Sequence, residues 1–247
     1  MERSTGESSL AALLDEAEQA QRAGDMVAAL DLARRAAAAA PAEPRPKFLL
    51  CLLLLARRDA EANALLVQLE QFASYGPGWE MLGYGLGSTH PTAAKVAFER
   101  AAKAYEAAEA RLQTADLAHR LGVVRRQSGD AAGARAALER ATARDATHAA
   151  AWFLLGLTRQ DDHDPAGAAQ AFQAALAARP DHHEAEFNLA VVLQEAGDLE
   201  AALDHYARAW RLRPDSFGRV AQALVSPAVG RLWLQPGALL RELAARA

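Results

Sequence analysis

The chain has 247 residues, 51% of them apolar and only 6% aromatic, with a formal net charge of −4. That length suits one large domain or two small ones, and so mild a charge lacks the clustered basic face that nucleic acid or an anionic membrane requires. The single cysteine, Cys51, excludes an internal disulfide framework and any zinc site built from several thiolates.

Gly and Pro are few, and the long Ala/Leu/Glu/Arg segments between them favour helix. In chain order, residues 10–43 carry Glu16, Ala17, Gly24, Asp25, Ala29, Ala33, Ala36 and Pro41 at spacings that recur later. Next comes FLLCLLLLA, Phe48 to Ala56, nine apolar residues in a row. A spanning helix needs about 20 apolar residues, whereas nine at about 1.5 Å each reach roughly 13 Å. A signal-peptide core belongs near a basic N-terminus, but this run starts at residue 48, behind the polar MERSTGESSL. The expectation is a helix apolar on every face because neighbouring helices cover it, in a soluble, cytoplasmic chain. Cys51 then fills a small-residue slot as an inert buried thiol.

Trp79, Leu82 and Gly83 mark a third segment, and TAAKVAFERAAKAYEAAEARLQ after them predicts an unusually long second helix. From residue 115 the sequence repeats itself. Leu121-Gly122, Leu155-Gly156 and Leu189-Ala190 stand 34 residues apart. So do Ala134, Ala168 and Ala202, then Leu138, Phe172 and Tyr206, then Ala141, Ala175 and Ala209. Pro180 and Pro214 close two of these segments, because Pro neither donates a backbone bond nor fits inside a helix. Helical stretches are expected again at 217–225 and about 236–246, with Pro227 and Pro236 read as lying near helix starts.

This pattern resembles the tetratricopeptide repeat (TPR), best at Trp152, Leu155, Gly156, Ala168, Phe172, Ala175 and Pro180. The resemblance implies an all-α solenoid of about six helical hairpins with a C-terminal helical cap. Units one to three would span 10–113, divergent and with the long second helix in unit three. Units four to six would span 115–216 at the regular 34-residue period, and residues 217–247 would cap the last apolar face.

The resemblance further implies that positions 2, 5, 9, 12 and 13 of each unit face a concave groove that takes a partner segment. In unit four these are Asp116, His119, Val123, Arg126 and Gln127; in unit five, Ala150, Phe153, Leu157, Gln160 and Asp161; in unit six, Glu184, Phe187, Val191, Gln194 and Glu195. Phe153 and Phe187, 34 apart, are either buried against an adjacent first helix or form an apolar floor. In the second case Arg126, Gln127, Gln160, Asp161, Gln194 and Glu195 would be the rim. The carboxylate clamp of chaperone-binding members, Lys at position 5 and Asn at position 9, is missing. Leu14 and Glu18 stand there in unit one, His119 and Val123 in unit four, Phe153 and Leu157 in unit five.

Nucleotide-binding, serine-hydrolase and zinc-protease motifs are absent. His182-His183 reads as a solvated loop rather than a metal site. Asp161-Asp162-His163-Asp164 reads as turn chemistry, with Asp164 capping the following helix. The sequence therefore points to a non-catalytic interaction module, a scaffold, adaptor or assembly factor without cofactors or metal. The alternative is a regulatory arm that docks onto a separately encoded enzyme through the cap, with Trp233 at the docking edge. An open stack with apolar ends also allows a homodimer. Arg dominates the basic residues, with Lys only at 47, 95 and 103, and together with abundant Ala this points to a GC-rich bacterial genome.

Overall fold

The computed structural model describes residues 2–225 and 236–246, and among them every regular element is a helix. Contacts divide the chain into an N-terminal unit, which runs to Leu112 and includes 127–129, and a C-terminal unit made of 113–126 and the residues from Asp130 on.

The N-terminal unit is three hairpins: α1 (Glu2–Arg22) with α2 (Met26–Ala39), α3 (Pro44–Ala56) with α4 (Glu61–Leu69), and α5 (Gly76–Leu86) with α6 (Pro91–Leu112). Asp25 starts α2 by accepting the Ala28 N–H at 3.0 Å, a side-chain cap for a donor the helix leaves unpaired. Ala17, Ala29, Ala33 and Ala36 are fully buried, so the backbones of this hairpin approach closely.

Helix α3 holds the apolar run. Pro44 sits in its first turn, where the missing N–H costs nothing. Phe48, Leu49, Leu50, Cys51, Leu53 and Leu54 are all buried, because α2, α4 and α5 surround the helix. Burial alone pushes the Cys51 thiol up to about 12, so the sulfur stays protonated and unreactive. Trp79 of α5 lies edge-on to Phe48 with ring centroids 5.1 Å apart, and its indole N–H donates to the Phe72 carbonyl at 3.2 Å. Helix α6 runs for 22 residues, the long second helix that the sequence predicted.

The C-terminal unit is regular. Its first helices α7 (Ala115–Ser128), α9 (Ala149–Asp161) and α11 (His183–Glu195) alternate with α8 (Ala131–Arg144), α10 (Pro165–Ala178) and α12 (Leu199–Leu212). Each second helix opens on an aspartate. Asp130, Asp164 and Asp198 accept the N–H of Gly133, Gly167 and Ala201. Each also closes alike, with the backbone N–H of Asp145, Arg179 and Arg213 on the carbonyls of Ala141, Ala175 and Ala209.

The Leu-Gly signature has a steric cause. A Cβ added at Gly122 would sit 2.6 Å from the Leu138 side chain, and one at Gly156 would sit 2.5 Å from the Phe172 ring. The turn within each hairpin pivots on a left-handed residue, Gly129 (φ 89°) and Gly197 (φ 88°), and His163 (φ 59°) takes that place in the middle hairpin.

The helix spacing outlasts the last sequence match at Pro214. Helix α13 (Phe217–Leu224) begins 34 residues after α11, in the place of a further first helix, and α14 (Pro236–Arg246) follows. Val220 and Leu224 of α13 and Leu239 and Leu243 of α14 are buried with Leu203, Tyr206 and Ala207 of α12. Arg246 ties α14 to α12 through Glu200 at 2.7 Å and Asp204 at 3.0 Å, and also pairs with Glu242 of its own helix at 2.7 Å. Pro227 and Trp233 lie outside the described residues.

Candidate partner-binding surface

The residues expected to face a groove lie on α7, α9 and α11, and position 5 of each helix meets a side chain from farther along the chain. On α7, the rings of His119 and His148 are 4.8 Å apart. His148 caps α9 by accepting the Ala151 N–H on Nδ1 at 3.1 Å. The proton of the neutral ring therefore stands on Nε2, which lies 3.2 Å from Asp116. Burial, then His148 and Arg120, push His119 down to about 4, against a smaller pull from Asp116.

On α9, Phe153 is partly buried between Phe172, at 5.8 Å, and the ring of His182, at 4.6 Å. Burial, and after it the Arg179 charge, lower the proton affinity of His182 and favour its neutral ring. His148 and His182 stand 34 apart, one residue before their helices; no sequence rule gave His148 a role, and His182-His183 read as a solvated loop, whereas His182 is partly buried against Phe153 and His183 is buried in the first turn of α11. Their spacing was the one available signal.

On α11 the structure corrects two expectations. Phe187 is only 6% exposed: it packs edge-on against Tyr206 at 5.5 Å, and the Arg219 guanidinium lies 3.8 Å over its ring. Arg219 is held by Glu184 at 2.8 Å. Gln194 is no rim residue, being 4% exposed. Its amide donates to the Ala223 carbonyl at 3.0 Å and accepts the Tyr206 hydroxyl at 2.9 Å. Helix α13 thus covers this part of α11, a result of chain placement beyond the last recognisable repeat.

The remaining positions stay accessible. Val123, Leu157 and Val191 are partly buried and Gln127 is exposed. Arg126 pairs with Asp161 at 2.5 Å, linking the ends of α7 and α9. Gln160 and Glu195 line a cavity of about 270 Å³ at the ends of α9 and α11, with His163, Pro165, Val192 and Ala196. Asp164 acts as the expected cap, and Asp162 pairs with Arg135 at 2.9 Å.

A second concavity was not foreseen. In the N-terminal unit a trough of about 600 Å³ runs between α4 and α6, floored by Trp79, Leu82 and Leu86 and walled by Val67 and Val96. An Arg100–Glu70 ion pair closes one end, with the Arg100 guanidinium 4.6 Å from the Trp79 ring. Among the described residues no three His, Cys, Asp or Glu side chains are placed to hold a metal ion. No described helix is long and apolar enough to cross a membrane.

The tetratricopeptide-repeat family model matches residues 119–159 and 154–217. No curated protein matches the sequence. Among solved structures, YrrB, described as a TPR protein with an unusual peptide-binding site, is 22% identical. The match covers 74% of this chain and 93% of that one, with a TM-score of 0.50. MamA from Desulfovibrio magneticus RS-1 is 17% identical over 84% of this chain and 96% of that one, with a TM-score of 0.48. A further MamA structure is 15% identical, covering 84% and 93%, with a TM-score of 0.47. The matched family model and the 34-residue hairpins of α7 to α12 coincide, and this part of the chain is built of tetratricopeptide repeats.

Proposed function

We propose that the chain is a non-catalytic interaction module that holds an extended segment of a partner protein along α7, α9 and α11. The observation that carries this is the contrast on α9. Leu155 is buried to 1%, whereas Phe153 and Leu157 on the same helix keep part of their apolar surface in solvent. Val123 and Val191 extend that strip, and Arg126, Gln127, Gln160, Asp161 and Glu195 flank it with polar groups. An apolar anchor inside a polar rim is how such surfaces gain affinity. The peptide-binding description of YrrB fits the same use of this fold. The job would be scaffold, adaptor or assembly factor in a bacterial cytoplasm.

The test is affinity capture from native extract, read by mass spectrometry, with wild type and Phe153→Glu side by side. A protein held by wild type and lost by a folded Phe153→Glu chain supports the reading. Equal capture by both sinks it. In that case docking through residues 217–247, with Trp233 at the edge, becomes the better account, and Trp233→Ala would weaken association with a separately encoded enzyme. Sedimentation of the purified chain decides between monomer and homodimer.

A further inference from the structure

The cavity at the ends of α9 and α11 joins two side chains assigned to the groove on other grounds, Gln160 and Glu195. Its chemistry is lopsided. Val192, Pro165 and Ala196 give it apolar walls, and Glu195 carries its charge. Among the described residues no cation pairs with that carboxylate, whereas Asp161 and Asp162 nearby are matched by Arg126 and Arg135. Helices α9 and α11 end here while α10 begins at Pro165 on the cavity wall, so the opposed helix ends largely offset and Glu195, beside the His163 ring, supplies the negative charge. At about 270 Å³ the notch is too small for a drug-sized ligand but roomy enough for one long side chain.

We infer that this notch takes the side chain of a lysine or arginine in the bound partner segment, an assignment that rests on the groove reading above. The aliphatic stem lies along Pro165 and Ala196, both exposed, as such stems cover apolar surface while the charged tip stays polar. The cation reaches the Glu195 carboxylate, and the Gln160 side-chain oxygen accepts a second hydrogen bond. Only one carboxylate lines the cavity, which suits a monovalent side chain rather than a metal ion.

The experiment pans a phage-displayed random-peptide library on the immobilised full-length chain in three forms: wild type, Glu195→Lys and Phe153→Glu. Glu195 is exposed, so its replacement leaves folding intact, checked by circular dichroism. The inference expects wild-type eluates rich in peptides with Lys or Arg at a fixed distance from an apolar residue. The best of these, resynthesised, should bind Glu195→Lys about tenfold more weakly, the scale of one lost charge contact. Alanine in place of its basic residue should weaken binding to wild type and strengthen binding to Glu195→Lys, where it removes a like-charge contact. Peptides that need Phe153 but show no basic preference, or bind Glu195→Lys as well as wild type, overturn the notch and leave the groove standing. Peptides that need Glu195 but not Phe153 remove the groove and, with it, the notch as a subsite of a groove-bound segment. No enriched peptide at all overturns both.

Discussion

His119 shows how one partly buried side chain makes stability depend on pH. Folded, it stays neutral down to about 4; in the unfolded chain an imidazole takes up its proton near 6.5. Between those values the unfolded state binds more protons, so stability rises with pH there. The contribution is fully present above about 6.5 and is lost as pH falls towards 4. His148, Arg120 and Asp116 are the charged or titratable neighbours that set the shift. Melting temperature should therefore drop in this window, and His119→Gln should flatten the drop relative to wild type. Melts at half-unit pH steps check it, and parallel curves for the two proteins would refute the assignment. At this scale the sequence was only partly legible. Spacing placed His119 and Phe153 on one face, but their stacking partners His148 and His182 depend on how successive hairpins meet, which no single residue records.

At the scale of elements, α14 is held by two kinds of force that can be ranked. Leu239 and Leu243 are buried against α12, while Arg246 meets three carboxylates at the surface. Removing a fully buried leucine costs roughly 2–5 kcal/mol, whereas exposed ion pairs contribute about 0–1 kcal/mol each. Leu243→Ala should thus lower the melting temperature well beyond Arg246→Ala, and a larger effect from the arginine would reverse the ranking. Helices α7 to α12 were legible because a period of 34 fixes both their faces and their ends. Helix α13 was expected as part of a cap, but its contacts with α11 were not legible. Val220 and Leu224 belong to a helix eight residues long, with too few repeat residues to match, and its cover over Phe187 and Gln194 is a tertiary result. The trough between α4 and α6 was equally hidden, because a gap arises from where helices stop rather than from any residue type.

Across the whole molecule, repeat construction means that each hairpin relies on its sequence neighbours for cover, so burial is completed in the order in which the chain is made. Helix α3 is the sharpest case. Its apolar surface is closed by α5, whose last residue, Leu86, comes 30 positions after Ala56. At about 5–20 residues per second that is a gap of roughly 2–6 s during synthesis, with an almost wholly apolar helix lacking one of its walls. A fragment of residues 1–72 should accordingly bind a dye such as 1-anilinonaphthalene-8-sulfonate and aggregate, while residues 1–112 stay dispersed, as light scattering would show. The helix that is best covered in the finished protein is thus the one whose last wall arrives well after its own synthesis is over.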